Sequence, residues 1–338
     1  MKHRDSGFTL VELMVAILIG TVLAAVLVST YLSSKSSFRG DQSLSNLQEG
    51  GRVALDLLAR DVRSAGFRGC DSALLAPLNT LLNPGAYAYN AGVSIQGFEA
   101  QGSVWSPSLD ASLSSASPAP LAGTDVVTVR RADGTGLAPI TPYMTSTTAD
   151  LHISTPNSIN QFDILLVTDC GGVAVFQETA VSPGANGTIS HQISVGTPGN
   201  LSADLGRIFG QDAMIYKVLT ISYYVAPSAL SAGNNSLWRL VAGGVAQEMV
   251  EGVDNLQLLY GEDTDGDRTA NQYVTAAAVG NINNVVSLKV SLLMRSVRDF
   301  VTTKPQPYSF AGGATITPTD QRLRLPLTVI VNLRNRTS

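Results

Sequence analysis

The chain has 338 residues, enough for one or two domains with a sizeable core, and this length excludes a short peptide or a small disulfide knot. Charged residues make up 14% where globular proteins average about 25%, beside 44% hydrophobic residues, 31 Gly and 15 Pro, which argues against a disordered or coiled-coil chain. The net charge is −4, from 22 Lys and Arg against 26 Asp and Glu, and no basic run exceeds Arg130-Arg131, so no nucleic-acid partner is expected.

From Phe8 to Leu32 the chain carries a single charge, Glu12, over 25 residues. A helix of that length crosses a hydrocarbon core, so the segment reads as a membrane span. A secretory signal peptide would have a shorter apolar region followed by a small-residue cleavage site. Here the pattern continues instead: Leu44, Leu47, Ala54, Leu55, Leu58, Val62 and Ala65 draw one stripe down a helix. Gly66 supplies a stop. The expected division is therefore a span over 8–32, an amphipathic continuation over 33–66 and a head over 67–338. A continuous helix of 58 residues from Phe8 to Ala65 would be about 87 Å long. Gly50 and Gly51 in its middle predict a bend or a close approach.

Beyond Gly66 the pattern alternates. Val286, Leu288, Val290, Leu292 and Met294 face away from Ser287, Lys289 and Ser291, which predicts a half-buried strand. Leu323, Leu325, Leu327, Val329, Val331 and Leu333 predict a second, with Pro326 confining it to an edge or a bulge. Further strands are predicted over 124–130, 162–168, 172–178, 214–225, 236–242, 245–250 and 253–260. Gly171-Gly172 and Gly243-Gly244 each join two of these as a hairpin, so the sheet should be mostly antiparallel. The Ser-, Pro- and Ala-rich stretch 100–123 reads as an irregular loop.

Few residues offer chemistry. Cys70, Cys170, His152 and His191 lack the paired short spacings of a zinc site. No GxSxG elbow, HExxH helix or phosphate loop accompanies the histidines, so no enzymatic activity is expected. Asp263, Asp265 and Asp267 alternate as hard oxygen ligands do at the start of a calcium loop. Arg268 and Val274 then stand where an EF-hand needs Gly and Glu, so two readings stay open. Either the loop holds calcium, with Asn271 or a carbonyl completing the site, or Asp265-Gly266 supplies the left-handed residues of a hairpin turn and no cofactor is bound.

The string Gly7-Phe8-Thr9-Leu10-Val11-Glu12-Leu13 resembles the type III leader of type IV pilins and type II secretion pseudopilins. The resemblance implies cleavage between Gly7 and Phe8 by a prepilin peptidase, N-methylation of Phe8, and retention of Glu12 to pair with the free amine of a neighbouring subunit. The alternative for Glu12 is a carboxylate snorkelling to the interface. Lys2 and Arg4 before the span are matched by Lys35 and Arg39 after it, so charge leaves the orientation open. The leader resemblance places residues 1–7 in the cytoplasm.

ARDVRSAGFRGC at 59–70, LVAGGVAQEMVEGVDNLQLLYG at 240–261 and the terminal PLTVIVNLRNR are similar to the PilW group of minor pilins. The likeness is weakest in the middle third. It implies an α+β, pilin-like fold, with the long helix packed on a mostly antiparallel β-rich head. It further implies a minor subunit that primes or caps a type IV pilus, held in the inner membrane with its head in the periplasm before joining the pilus, at its tip, on the cell surface. The implied partners are other minor pilins, the major pilin, the inner-membrane assembly platform and a tip adhesin. The alternatives are a J-like minor pseudopilin of type II secretion, usually a shorter chain, and a pilin-anchored tip adhesin. In an oxidising compartment Cys70 and Cys170, 100 residues apart, are expected to form a disulfide worth at most about 4.7 kcal/mol in chain entropy, the alternative being two separately buried thiols.

Overall fold

The computed structural model describes residues 9–69, 77–83, 86–169 and 171–337. Its first element, α1, is an unbroken helix Leu10–Arg63 of 54 residues, about 81 Å long. Ser64 closes it through a backbone N–H shared between the carbonyls of Asp61 and Val62. Gly66 follows in the left-handed region at φ 74° and donates its N–H to the Arg130 carbonyl, 2.9 Å away. The two mid-helix glycines produce an approach and no break. A Cβ on Gly51 would strike the Leu327 side chain, so only glycine lets the helix lie this close to the sheet.

Fifteen strands follow among the described residues. They are β1 Leu78–Thr80, β2 Ile95–Gln101, β3 Val104–Ser106, β4 Val126–Ala132, β5 Leu151–His152, β6 Ile164–Thr168, β7 Val173–Gln177 and β8 Thr188–Ile189. Then come β9 Met214–Pro227, β10 Asn235–Val241, β11 Gln247–Glu251, β12 Val253–Glu262, β13 Gln272–Val274, β14 Val285–Arg295 and β15 Arg324–Asn332. The fold is α+β. One sheet runs β1-β7-β6-β9-β4-β2-β3, with β10 and β11 attached through β9. A second runs β13-β12-β14-β15, and β5 pairs β8 separately. Strand pairing is antiparallel apart from β1 on β7 and one isolated bridge, Ile193 to Asn200.

The apolar stripe of α1 (Leu47, Ala54, Leu58, Val62) joins side chains of β4, β9, β12 and β14 in one core. Burying these side chains stabilises the helix on the head by roughly 1.5–3 kcal/mol for each large one. A second core, around Leu151, Leu165, Phe176, Ile189, Phe209 and Ile215, fills the module beyond the helix end. Near that end Asn335 donates to the Ala65 carbonyl at 3.0 Å, whereas Gly50 faces Met294 near the last residue of β14. The β14–β15 connection therefore lies at the end of the head nearest the apolar half of α1.

Three expectations need correction. The stretch 100–123 is not wholly irregular: it holds the β2–β3 hairpin and a helical turn, Ala111–Ser114, capped by Asp110. The strand over 286–294 is buried along both faces rather than one, with only Lys289 partly exposed, because side chains of neighbouring strands such as Tyr273 and Thr328 lie over the face that carries Ser287 and Ser291. Its hydroxyls remain satisfied, Ser287 with the Tyr273 hydroxyl and Ser291 with that of Thr328, each at 3.1 Å. The loop after β12 takes its positive φ at Gly266 and Arg268, not at Asp265. Pro326 lies in β15, an edge strand as expected.

Candidate functional site

Gly7 and Phe8 lie outside the described residues, and the described chain opens on Thr9, the cap of α1. Thr9 and Glu12 form a reciprocal capping box. The Glu12 N–H donates to Thr9 Oγ1 at 3.3 Å, while the Thr9 N–H and hydroxyl each donate to Glu12 Oε2 at 2.9 Å. The sequence reading gave Glu12 a subunit-docking role and overlooked this local one, although Thr-x-x-Glu before an apolar run is its ordinary signal. In one subunit, the carboxylate is thus held at the helix start with its second oxygen free of protein donors among the described hydrogen bonds.

No residue of α1 before Leu47 is buried. Leu10, Val11, Leu13, Met14, Ile17, Leu18, Val22, Val26 and Leu27 are exposed side by side, which no water-soluble surface sustains. The few hydroxyls in this stretch turn back on the helix: Thr21 donates to the Leu18 carbonyl, and Ser29 and Thr30 to that of Val26. These three hydroxyls are thus satisfied within the helix, as a lipid environment demands.

Where the helix meets the head, Asp61 faces inward, only 6% exposed. Its Oδ2 accepts from the Tyr223 hydroxyl at 2.8 Å and lies 3.6 Å from Arg239 Nε, and its Oδ1 accepts from Arg131 at 3.2 Å. Burial, with the Asp61 charge beside it, pushes the Tyr223 hydroxyl above its ordinary pKa and keeps it a donor. This cluster ties α1 to β4, β9 and β10. Sequence reasoning missed it, yet the signal was present: Asp61 stands seven residues from Ala54 and four from Ala65, inside the apolar stripe.

Cys70 and Cys170 lie outside the described residues. Their described neighbours adjoin, since a Cβ on Gly69 would fall 2.5 Å from Thr168 Cγ2. Non-reducing electrophoresis of the chain should show faster migration than the reduced form, and two titratable thiols per chain would refute the bond. His191 is buried, its pKa lowered mainly by burial, with Nε2 against the Ala149 carbonyl at 3.2 Å and its ring edge-on to Phe176. Such a histidine is packed as a neutral core residue.

Asp263, Asp265 and Asp267 converge, with one oxygen of each within 4.8 Å of the others. Each carboxylate also serves the loop itself. Asp263 accepts from the backbone N–H of Asp265, Gly266 and Arg268; Asp265 from that of Asp267; and Asp267 from that of Thr269. Asp263→Ala should therefore destabilise the head by about 1–3 kcal/mol in a denaturant titration, through orphaned backbone donors. Calcium at about 1 mM should shift the melting curve little, since even a site half-filled at that level adds only about 0.4 kcal/mol.

An exposed apolar half-helix, capped at its start and continuous with a helix locked to a β-rich head, is the arrangement of a membrane-anchored subunit. Two family models agree with it. Residues 2–28 match the prokaryotic N-terminal methylation motif, and residues 222–335 match type IV pilus-assembly protein W. Over these residues the chain is similar to type IV pilus-assembly protein W, which makes it a type IV pilus-related, pilin-like protein. No curated protein and no solved structure matches it. In this PilW-like chain the second match begins within β9 and runs through β15, so it takes in the whole β13-β12-β14-β15 sheet against which the helix lies. The module of 139–213, with its own core, falls outside both matches. The leader motif and apolar helix anchor the protein in a membrane and imply contact with a prepilin peptidase and other pilus components.

Proposed function

We propose that this PilW-like pilin is a minor subunit that primes or caps a type IV pilus, without enzymatic activity, by docking with other minor pilins and the major pilin above the inner-membrane assembly platform. The observation that carries the reading is the unpacked first part of α1, which reaches Leu47 before any side chain is buried. An apolar surface of that extent needs lipid before assembly and neighbouring helices after it. The head supports a terminal position: from Phe67 onward it comprises 272 of the 338 residues (338 − 66), bulky for a subunit repeated along a narrow fibre. Cleavage after Gly7 would give Phe8 the free amine that pairs with the partner's carboxylate. The head then lies in the periplasm until the subunit is extracted into the fibre, where a tip adhesin can join it.

The test is a deletion strain. Pili should be few or absent and return with the full chain, and the intact protein should co-purify with other minor pilins from membranes. Normal piliation with lost protein secretion would favour the J-like pseudopilin, and a head that binds ligand without any pilin would favour an anchored adhesin. N-terminal mass spectrometry should find the membrane form beginning at methylated Phe8.

A further inference from the structure

We propose that the loop joining β14 to β15, together with the turns of α1 that face it, is a second membrane contact: a basic, aromatic foot that seats the head on anionic lipid headgroups beside the span. The loop leaves β14 after Arg295, at the end of the head nearest the apolar half of α1. A cleft of about 650 Å³ separates it from the helix, with Arg39, Gln42 and Ser43 on one wall and Arg298, Asp299 and Phe300 on the other. The loop's first residues, 297–301, thus stand beside the turns of α1 from Arg39 to Leu47, which begin seven residues beyond Leu32, or about 10 Å along the helix from the end of the apolar run.

The membrane interface is marked at this height by the helix itself. Lys35 lies 5.9 Å over the ring of Tyr31, and Phe38, the residue before Arg39, is 68% exposed. Aromatic and cationic side chains in that order belong to the headgroup layer. The run 8–32 is about 37 Å long as a helix, against a hydrocarbon core of roughly 30 Å, so the span tilts and a loop set to one side of its axis can be lowered toward the lipid.

The loop's surface suits what it would meet. Phe300 is 76% exposed at φ 57°, a conformation that costs a bulky residue energy, and Val297 and Ile316 of the same loop are also exposed. The geometry is held rather than slack: Asp299 Oδ1 accepts from the N–H of Phe300 at 2.7 Å and of Gln321 at 2.9 Å. Lys35, Arg39, Arg298 and Lys304 are exposed against Asp41 and Asp299, an excess of two positive charges in a chain of net charge −4. An exposed apolar side chain in one cleft with Arg39 and Arg298, next to a span, complements an anionic bilayer surface rather than an acidic protein alone.

The experiment uses the full-length chain in nanodiscs of phosphatidylcholine, alone or mixed with phosphatidylglycerol, and follows backbone hydrogen exchange over 296–304. Exchange should slow about fivefold or more in the anionic discs, the factor that one Lys or Arg contributes at such a surface, and high salt should abolish the difference. Arg39→Glu and Arg298→Glu, both at exposed positions, should each erase the lipid dependence while exchange in β12 and β14 stays unchanged. Phe300→Ser should weaken protection in both discs. Equal exchange in the two compositions, or protection that appears only when other pilins are added and ignores the lipid, would overturn the proposal.

Discussion

Asp61→Ala is expected to lower the stability of the head by about 3–5 kcal/mol, because it leaves two partly buried guanidinium groups without their carboxylate. Arg131 and Arg239 have side chains 18% and 22% exposed, too enclosed for water to replace Asp61 fully. The Tyr223 hydroxyl, 2.8 Å from Asp61 Oδ2, would lose its acceptor in the same substitution. For a domain of this size each kcal/mol moves the melting temperature by about 2–4 °C, so a fall of about 10 °C is expected in a thermal scan of the full-length protein in detergent. Asp61→Asn keeps an acceptor for Tyr223 but removes the charge and turns an amide donor toward the Arg131 guanidinium, and should fall between the variant and the parent. A loss below about 1 kcal/mol for Asp61→Ala would place the cluster among solvated ion pairs. Function follows from the same contacts. They hold the helix at one angle to the head, the geometry in which the proposed minor subunit would dock with other pilins, so Asp61→Ala should impair piliation even where the chain accumulates.

How much of this was legible in the sequence depends on the range of the interaction. The strands β14 and β15 announced themselves through alternation and β4, β6, β7, β9, β10, β11 and β12 as apolar runs, and the Gly171-Gly172 and Gly243-Gly244 pairs located their hairpins, because side-chain pattern and turn chemistry are local. Strands of two or three residues such as β1, β5 and β8 have no period to read, and partners many residues away specify them, as when Leu78 pairs with Val173. The same distinction governs the site. The leader and Glu12 were visible as a contiguous string. Asp61 was visible only as an acid in an apolar stripe, since its partners Arg131, Tyr223 and Arg239 come from three strands. The foot was the least legible, because Phe300 reads as an ordinary loop residue until the return of β14 places it beside Arg39.

Glu12→Gln should separate the two roles that the helix start permits. Gln at the third helical position completes a capping box as Glu does, so the bonds between Thr9 and residue 12 survive the substitution. Membrane insertion should be unimpaired or improved, since a neutral side chain costs less in lipid than a carboxylate. What Gln cannot do is neutralise the amine of Phe8 on an adjoining subunit, and a bare ammonium in a low-dielectric helix bundle costs several kcal/mol. If docking depends on that charge pair, Glu12→Gln and Glu12→Ala should both be processed at Gly7, accumulate in the membrane, and leave pilus counts at least tenfold below the parent, about 1.4 kcal/mol per docking event or more. If Glu12 serves only as a cap, the two variants diverge: Glu12→Gln assembles normally, and Glu12→Ala shows a local loss of about 1 kcal/mol at the helix start, seen as faster hydrogen exchange over the first turn. Immunoblots for processing, electron microscopy for pili and exchange for the cap decide between them, and normal piliation in Glu12→Gln would remove the carboxylate from the assembly mechanism.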